Sequence, residues 1–383
     1  MNTLAGPKRL AYLETARGIA SVIVVLHHFV LGFFPLLKEN IMQGGLLMTP
    51  LYVVVNGTGA VYFFFLLSGF VLSLKFYRNF SALELSVAVL KRLPRLMLPA
   101  GISMMIGAAI LIYLPESHSA AARLTGSEWL GTFAGAGIHQ DFVPSFWEAA
   151  RNSLLTFLWP GYSQYNSNLW TMSFEFYGSL LVFAIVAICS LLMRHKYGGI
   201  IALHFIISLL CVALHKLLFL PFVIGSLIAF FYVRRPVLFQ IPPWAIVMLV
   251  LTMIAGYSVD YGPALILAST AAMILLLCIP SLEQRLGGSV GLFLGRLSFP
   301  LYLVHVLVIL SVTSATYATL TGYGLQHGPV LALSFLITWM FSLLAALPFM
   351  TLERVWVPTL NGWTLAFVRH IGMATEINLS KSK

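Results

Sequence analysis

The sequence predicts an all-α integral membrane protein with about ten transmembrane helices and both termini cytoplasmic. Three observations carry that prediction. The 383 residues are 60% hydrophobic and 9% charged, against about 25% charged residues in a soluble protein, and mean hydropathy is +0.93. Ten apolar segments, at approximately 17–37, 51–74, 96–115, 169–193, 198–214, 217–233, 241–257, 262–280, 298–318 and 329–351, approach or reach the length needed to cross a bilayer core. Of the 22 Lys and Arg residues, all but Lys38, Arg123, Arg151 and Lys216 fall on the side occupied by a cytoplasmic N-terminus, a strong positive-inside pattern.

The chain divides into a transmembrane domain over 1–352 and a cytoplasmic tail over 353–383, whose Trp356, Trp363 and Phe367 suit the membrane surface. The net charge of +10 reflects orientation, with anionic lipid as a second use. No soluble basic domain is expected to hold nucleic acid. The first span follows Lys8 and Arg9 like a signal peptide, but its apolar core is too long and no A-x-A-like site follows, so it reads as a retained helix. Cys189, Cys211 and Cys278 lie in apolar runs without a CxxC pair and read as packing residues; no metal site is expected.

Two connections stand out. Residues 75–95 form a basic cytoplasmic loop, and Pro94 suits the first turn of the third span. Residues 116–168 form a long external loop, whose Trp129, Trp147 and Trp159 either pack at the membrane interface or cover an external site.

Few ionisable residues lie inside spans, and such groups are functional candidates. In LETARGIASVIVVLHHF (Leu13 to Phe29), Arg17 and His28 are eleven residues apart. Eleven steps of 100° end about 20° past three turns, so both share one stripe, roughly 16 Å apart. His27 is turned off that stripe and reads as packing, as does His204. Glu175, with Asn168, Thr171 and Ser179 at helical spacing, forms a second polar stripe. It needs a helix partner, a cation or a proton. Ser298, Tyr302 and His305 fall within about 60° of one another on a third. In KRLPRLMLP, Lys91, Arg92 and Arg95 either anchor the helix or clamp a phosphate.

As an ordered set these features resemble the membrane-bound acyltransferase 3 family, from about Tyr12 to Leu352. Arg17-x10-His28 is similar to its first-helix motif, FFFLLSGF (Phe63 to Phe70) to its FFxxSGF segment, and KRLPRLMLP to its basic stretch. LWTMSFEF (Leu169 to Phe176) resembles its W-x-x-x-x-E segment, and LGRLSFPLYLVH (Leu294 to His305) its S-x-x-x-Y-x-x-H segment. Pro300 departs from the last pattern and is expected to bend the helix. Several relatives carry an additional esterase-like domain. No GDS-type segment occurs here, so transfer is expected within the membrane domain or with a separate partner.

The resemblance implies an essential Arg17 and His28, with Glu175, Tyr302 and His305 in support. It implies an O-acyltransferase, acetyl by family frequency, of the bacterial inner membrane. Its co-substrate would be acetyl-CoA or another acyl-CoA, and its acceptor an extracytoplasmic or lipid-linked glycan; glycan-assembly proteins are expected partners. On this reading Arg17, Lys91, Arg92 and Arg95 hold the CoA phosphates, and Ser298 and Tyr302 contact substrate. His28 is general base or acyl carrier, with His305 and Glu175 orienting it or stabilising charge. A transporter or flippase for a lipid-linked or glycan substrate would use the same buried groups, but no internal repeat supports it.

Overall fold

The structure, a computed structural model, describes residues 11–39, 41–139, 141–192 and 197–381, with the backbone alone at 38, 41 and 372–381. Lys8, Arg9, Arg194, Lys196 and Lys383 of the charge pattern lie outside the described residues, as do the first residues of the 1–352 segment.

The regular structure of the described chain is α-helical, with short 3₁₀ turns, one π segment and connecting loops. It runs α1 (Ala11–Phe33), α2 (Gly57–Arg78), α3 (Ala82–Tyr113), α4 (Glu116–Thr125), α5 (Glu128–Gly131), α6 (Phe146–Leu158), α7 (Met172–Leu192) and α8 (Tyr197–Ala213). It continues with α9 (Leu220–Arg234), α10 (Pro243–Tyr257), α11 (Gly262–Cys278), α12 (Pro280–Leu286), α13 (Ser289–Val308), α14 (Ser314–Gly322) and α15 (His327–Lys381). Among the described residues, seven helical segments are long and apolar enough to cross a membrane. An eighth is added if α11 and α12, bent by 89°, count as one, and α8 and α10 are shorter apolar helices. The chain is therefore a multi-spanning membrane protein. Each of the ten predicted apolar segments coincides with one of these helices.

Boundaries differ most at α3. The expected basic loop over 75–95 is almost entirely helix, because Lys75 and Arg78 close α2 and α3 begins at Ala82. The Ser81 hydroxyl caps α3 by accepting from Glu84 N at 3.3 Å. Pro94 therefore lies well inside α3 rather than in its first turn. The expected external loop over 116–168 also contains structure, in α4, α5 and α6. Residue 352, the expected edge of the membrane domain, falls within α15, which continues unbroken to Lys381.

Helix order around the site follows from burial. The 289–322 segment is 89% buried across its apolar window and forms the central pillar; the 327–371 segment is 28% buried and forms a rim. Against lipid, helices associate through close packing rather than water exclusion, so small residues set the contacts. The α1–α13 contact is of this kind: a Cβ on Gly18 would lie 2.6 Å from Leu294 Cβ, and one on Gly295 would lie 2.6 Å from Glu14 Cβ. This approach lays the Arg17–His28 stripe along the helix carrying Ser298, Tyr302 and His305. Inside α13 the chain holds Pro300 and then passes through a π turn over Ile309–Thr313.

Candidate active site

Two polar centres occupy the bundle: a pair of imidazoles on α1 and α13, and a buried ion pair joining α3 to α7. The first joins α1, α13 and the start of α7. His28 Nδ1 lies 3.0 Å from His305 Nε2, with ring centroids 5.1 Å apart. His305 Nδ1 lies 2.9 Å from the Leu301 carbonyl. A carbonyl only accepts, so in the neutral ring His305 Nδ1 carries the proton and Nε2 is the acceptor. The Asn168 amide, also directed at His305 Nε2 from 3.4 Å, agrees with that assignment. His28 Nδ1–H therefore donates to His305, and the lone pair of the neutral His28 ring sits on Nε2.

Tyr302 braces this centre. Its hydroxyl donates to the Asn168 carbonyl in a very short contact and lies 2.7 Å from Thr171 Oγ1. Asn168 Nδ2 donates back to the Tyr302 carbonyl at 3.0 Å. Asn166 adds a bond to the Leu303 carbonyl at 2.8 Å and to Ser103 Oγ at 3.0 Å. The Asn-x-Asn segment before α7 is thus sewn to α13 by its side chains. Ser298 is buried one turn below Tyr302, and its hydroxyl donates to the Gly295 carbonyl at 2.8 Å.

A cavity of about 300 Å³ opens beside His28, lined by Trp129, Ala134–Ala136, Gly161, Ser163, Gln164, Ser167, Asn168 and Trp170. Among the described residues, no Asp, Glu, Lys or Arg side chain lines it. The Trp129 indole stacks on the His28 ring at 5.3 Å and 18°, and His27 meets it edge-on at 5.3 Å. His27 itself bonds the Val55 carbonyl at 2.7 Å. Trp129 comes from α5, which Ser127 ties to the end of α1 by donating to the Leu31 carbonyl at 2.9 Å. After α5 the chain bends tightly through positive φ at Phe133 (53°), Ala134 (59°), Gly135 (72°) and Gly137 (71°). Each non-glycine residue there costs about 1 kcal/mol. The fully buried Phe133 ring, packed edge-to-face on His118 at 5.2 Å, helps hold the bend. Burial lowers the His118 imidazole pKa from its ordinary value, outweighing its hydrogen bond to the Leu130 carbonyl.

The second centre lies one turn beyond Thr171 on α7. Glu175 is not at the imidazoles. It forms a close ion pair with Arg92 and accepts from Ser68 Oγ at 2.8 Å, while Arg92 Nε donates to Ser179 Oγ at 2.9 Å. Arg92 is buried. The sequence left Glu175 needing a helix partner, a cation or a proton, and Arg92 anchoring its helix or clamping a phosphate; the structure pairs the two and joins α2, α3 and α7 through them. Nearer the end of the bundle, Arg17 pairs with Glu14 at 2.8 Å and Lys91 donates to Asn361 at 2.8 Å. Arg95 buries its Nε without an acceptor. Arg17 and Arg95 both lie within electrostatic reach of Arg92 and Glu353.

Thus His28, His305 and Tyr302 come together, Glu175 meets Arg92, and Arg17, Lys91 and Arg95 group at the opposite end. Sequence reasoning did not assign Trp129, Ser68 or Gln164 to a site, although Trp129 was among the tryptophans expected to cover one. Among the described residues, no group of three or more His, Cys, Asp or Glu side chains is placed to hold a metal ion.

Neither a curated protein nor a solved structure shows significant similarity to the chain. A family model described as an acyltransferase domain matches residues 10–353, which span both polar centres and the helices that form them. The chain is an acyltransferase and belongs to the acyltransferase 3 family.

Proposed function

We propose that the protein moves an acyl group, acetyl in the first instance, from cytoplasmic acyl-CoA to a hydroxyl of an extracytoplasmic or lipid-linked glycan in a bacterial inner membrane. In this reading all ten apolar helices cross the bilayer and both termini are cytoplasmic. Residues 1–352 form the acyltransferase domain, and the segment from 353 is cytoplasmic. The observation that carries the proposal is the His28–His305 contact beside an uncharged cavity.

The tautomer argument supplies the chemistry. His28 Nε2 takes the acceptor hydroxyl proton as the oxygen attacks the thioester carbonyl, and His305 stabilises the charge through the shared hydrogen bond. Alternatively Nε2 attacks first and carries the acyl group. Arg17, Lys91 and Arg95 receive the CoA phosphates at the other end of the stripe. The pantetheine arm spans the roughly 16 Å of helix between them and His28. The Arg92–Glu175 pair, electrically balanced, lies along the passage from those cations to the imidazoles and holds α3 to α7 there. Tyr302 and Ser298 border that passage from α13.

The test uses the protein in liposomes with labelled acetyl-CoA and a glycan acceptor. His28→Ala is expected to lower both product and CoA release by about 100-fold or more at unchanged protein level. Full transfer by that variant would end the proposal. Arg95→Ala is expected to raise the apparent KM for acyl-CoA with little change in kcat; an unchanged KM would remove the phosphate role.

A further inference from the structure

Trp129 is a side chain on the His28 ring that the reaction as described does not use. It arrives on a short helix tied to α1, and the chain immediately turns through a left-handed bend. Within that bend Gly135 N donates back to the Trp129 carbonyl at 3.0 Å. A Cβ on Gly135 would lie 3.4 Å from the Trp129 ring. The bend therefore fixes where the indole sits. His305 holds one edge of the His28 ring, His27 approaches another, and the Trp129 face covers the flat side. The cavity opens beside the same ring.

A base next to an activated thioester faces two hydroxylic competitors, the acceptor and water. Transfer to water breaks the thioester C–S bond and forms a C–O bond to the water oxygen. The water proton passes through His28 Nε2 to the departing thiolate, giving free acid and CoA thiol. Acyl-CoA, water and the same base suffice for this reaction, so only exclusion of water prevents it.

We infer that Trp129 is a positioning residue that holds the His28 imidazole and shields it from water, so that acyl release is coupled to the presence of an acceptor. This rests on His28 acting as the base. The loop over 132–137 sets the coupling by placing the indole, and the left-handed residues are the geometric cost of that placement.

The experiment measures two products from labelled acetyl-CoA in proteoliposomes: acylated acceptor, and free acetate formed without acceptor. The wild type should release CoA only slowly without acceptor. Trp129→Ala should transfer at least tenfold less to acceptor while releasing acetate several-fold faster, and Trp129→Phe should recover much of the coupling. Gly135→Ala, which strains the bend and sets a methyl against the indole, should shift the ratio in the same direction. Adding His28→Ala to Trp129→Ala should abolish the acetate. An unchanged ratio in Trp129→Ala overturns the inference, as does equal loss of both products in a variant with wild-type thermal stability. Persistent acetate release in the double variant instead overturns His28 as base, so the two failures are distinct.

Discussion

At the residue scale, a backbone carbonyl decides what the two imidazoles can do. Leu301 fixes the proton on His305 Nδ1, which makes His305 an acceptor and directs the His28 lone pair outward on Nε2. His305→Gln keeps an acceptor oxygen for His28 and should retain more activity than His305→Ala, which should lose about 100-fold in kcat. Equal losses would show that the hydrogen bond is not what matters. The Arg92–Glu175 pair invites a separate test. Removing one partner of a buried pair leaves an unpaired charge and costs about 3–5 kcal/mol, whereas removing both is far milder. Glu175→Gln should therefore lower the melting temperature sharply, and Arg92→Met with Glu175→Gln should recover much of it. Recovery of stability without activity would assign the pair a part in turnover beyond holding α3 to α7. Sequence spacing made the Arg17–His28 stripe legible because both residues lie on one helix. The partner of Glu175 was not legible: the pairing joins helices 83 residues apart in sequence, and no local period reports that.

At the element scale, the His28–His305 contact exists because α1 and α13 approach across glycines. Gly295→Val would force the Glu14 backbone and side chain away, and so separate His28 from His305. It should reduce activity at least as much as His305→Ala while leaving the protein in the membrane, a result read from activity per folded molecule. The short helices α4 and α5 offer a pH test. With the folded pKa of His118 lowered by burial, its neutral form stabilises the α4–α5 clip fully above the unfolded value of about 6.5. That contribution is lost as pH falls from there through the folded value. Proteolysis of 116–137 should therefore increase below about pH 6.5, and His118→Gln should flatten the dependence. Long apolar runs made the spanning helices readable. The first half of α3 read as a loop because Lys91, Arg92 and Arg95 interrupt its apolar pattern, although Glu175 meets Arg92 and Asn361 meets Lys91. The clip was unreadable because its two short helices depend on tertiary ties such as Ser127 to Leu31 and His118 to Leu130.

At the scale of the whole molecule, one axis organises the chemistry: cations at one end, imidazoles and an uncharged cavity at the other, about 16 Å of α1 between them. α15 returns to the cationic end, where Trp356 Nε1 donates to the Pro94 carbonyl at 3.1 Å and Asn361 meets Lys91. If that axis crosses the bilayer as the charge pattern predicts, the two ends face different compartments. Val143, 82% exposed near the cavity end, and Val290, 73% exposed near the start of α13, report on them. Cys189 and Cys211 are buried, so a Cys278→Ala background gives low native labelling. In that background a membrane-impermeant maleimide should modify Val143→Cys in intact cells lacking an outer-membrane barrier, and Val290→Cys only after permeabilisation. The same orientation makes acyl-CoA a one-sided substrate: sealed vesicles should consume it when the Val290 side faces the medium and not when the Val143 side does. Labelling of both positions from outside, or consumption from the Val143 side, would place donor and acceptor in one compartment. The separation of cations from imidazoles would then have no role in carrying an acyl group across the membrane.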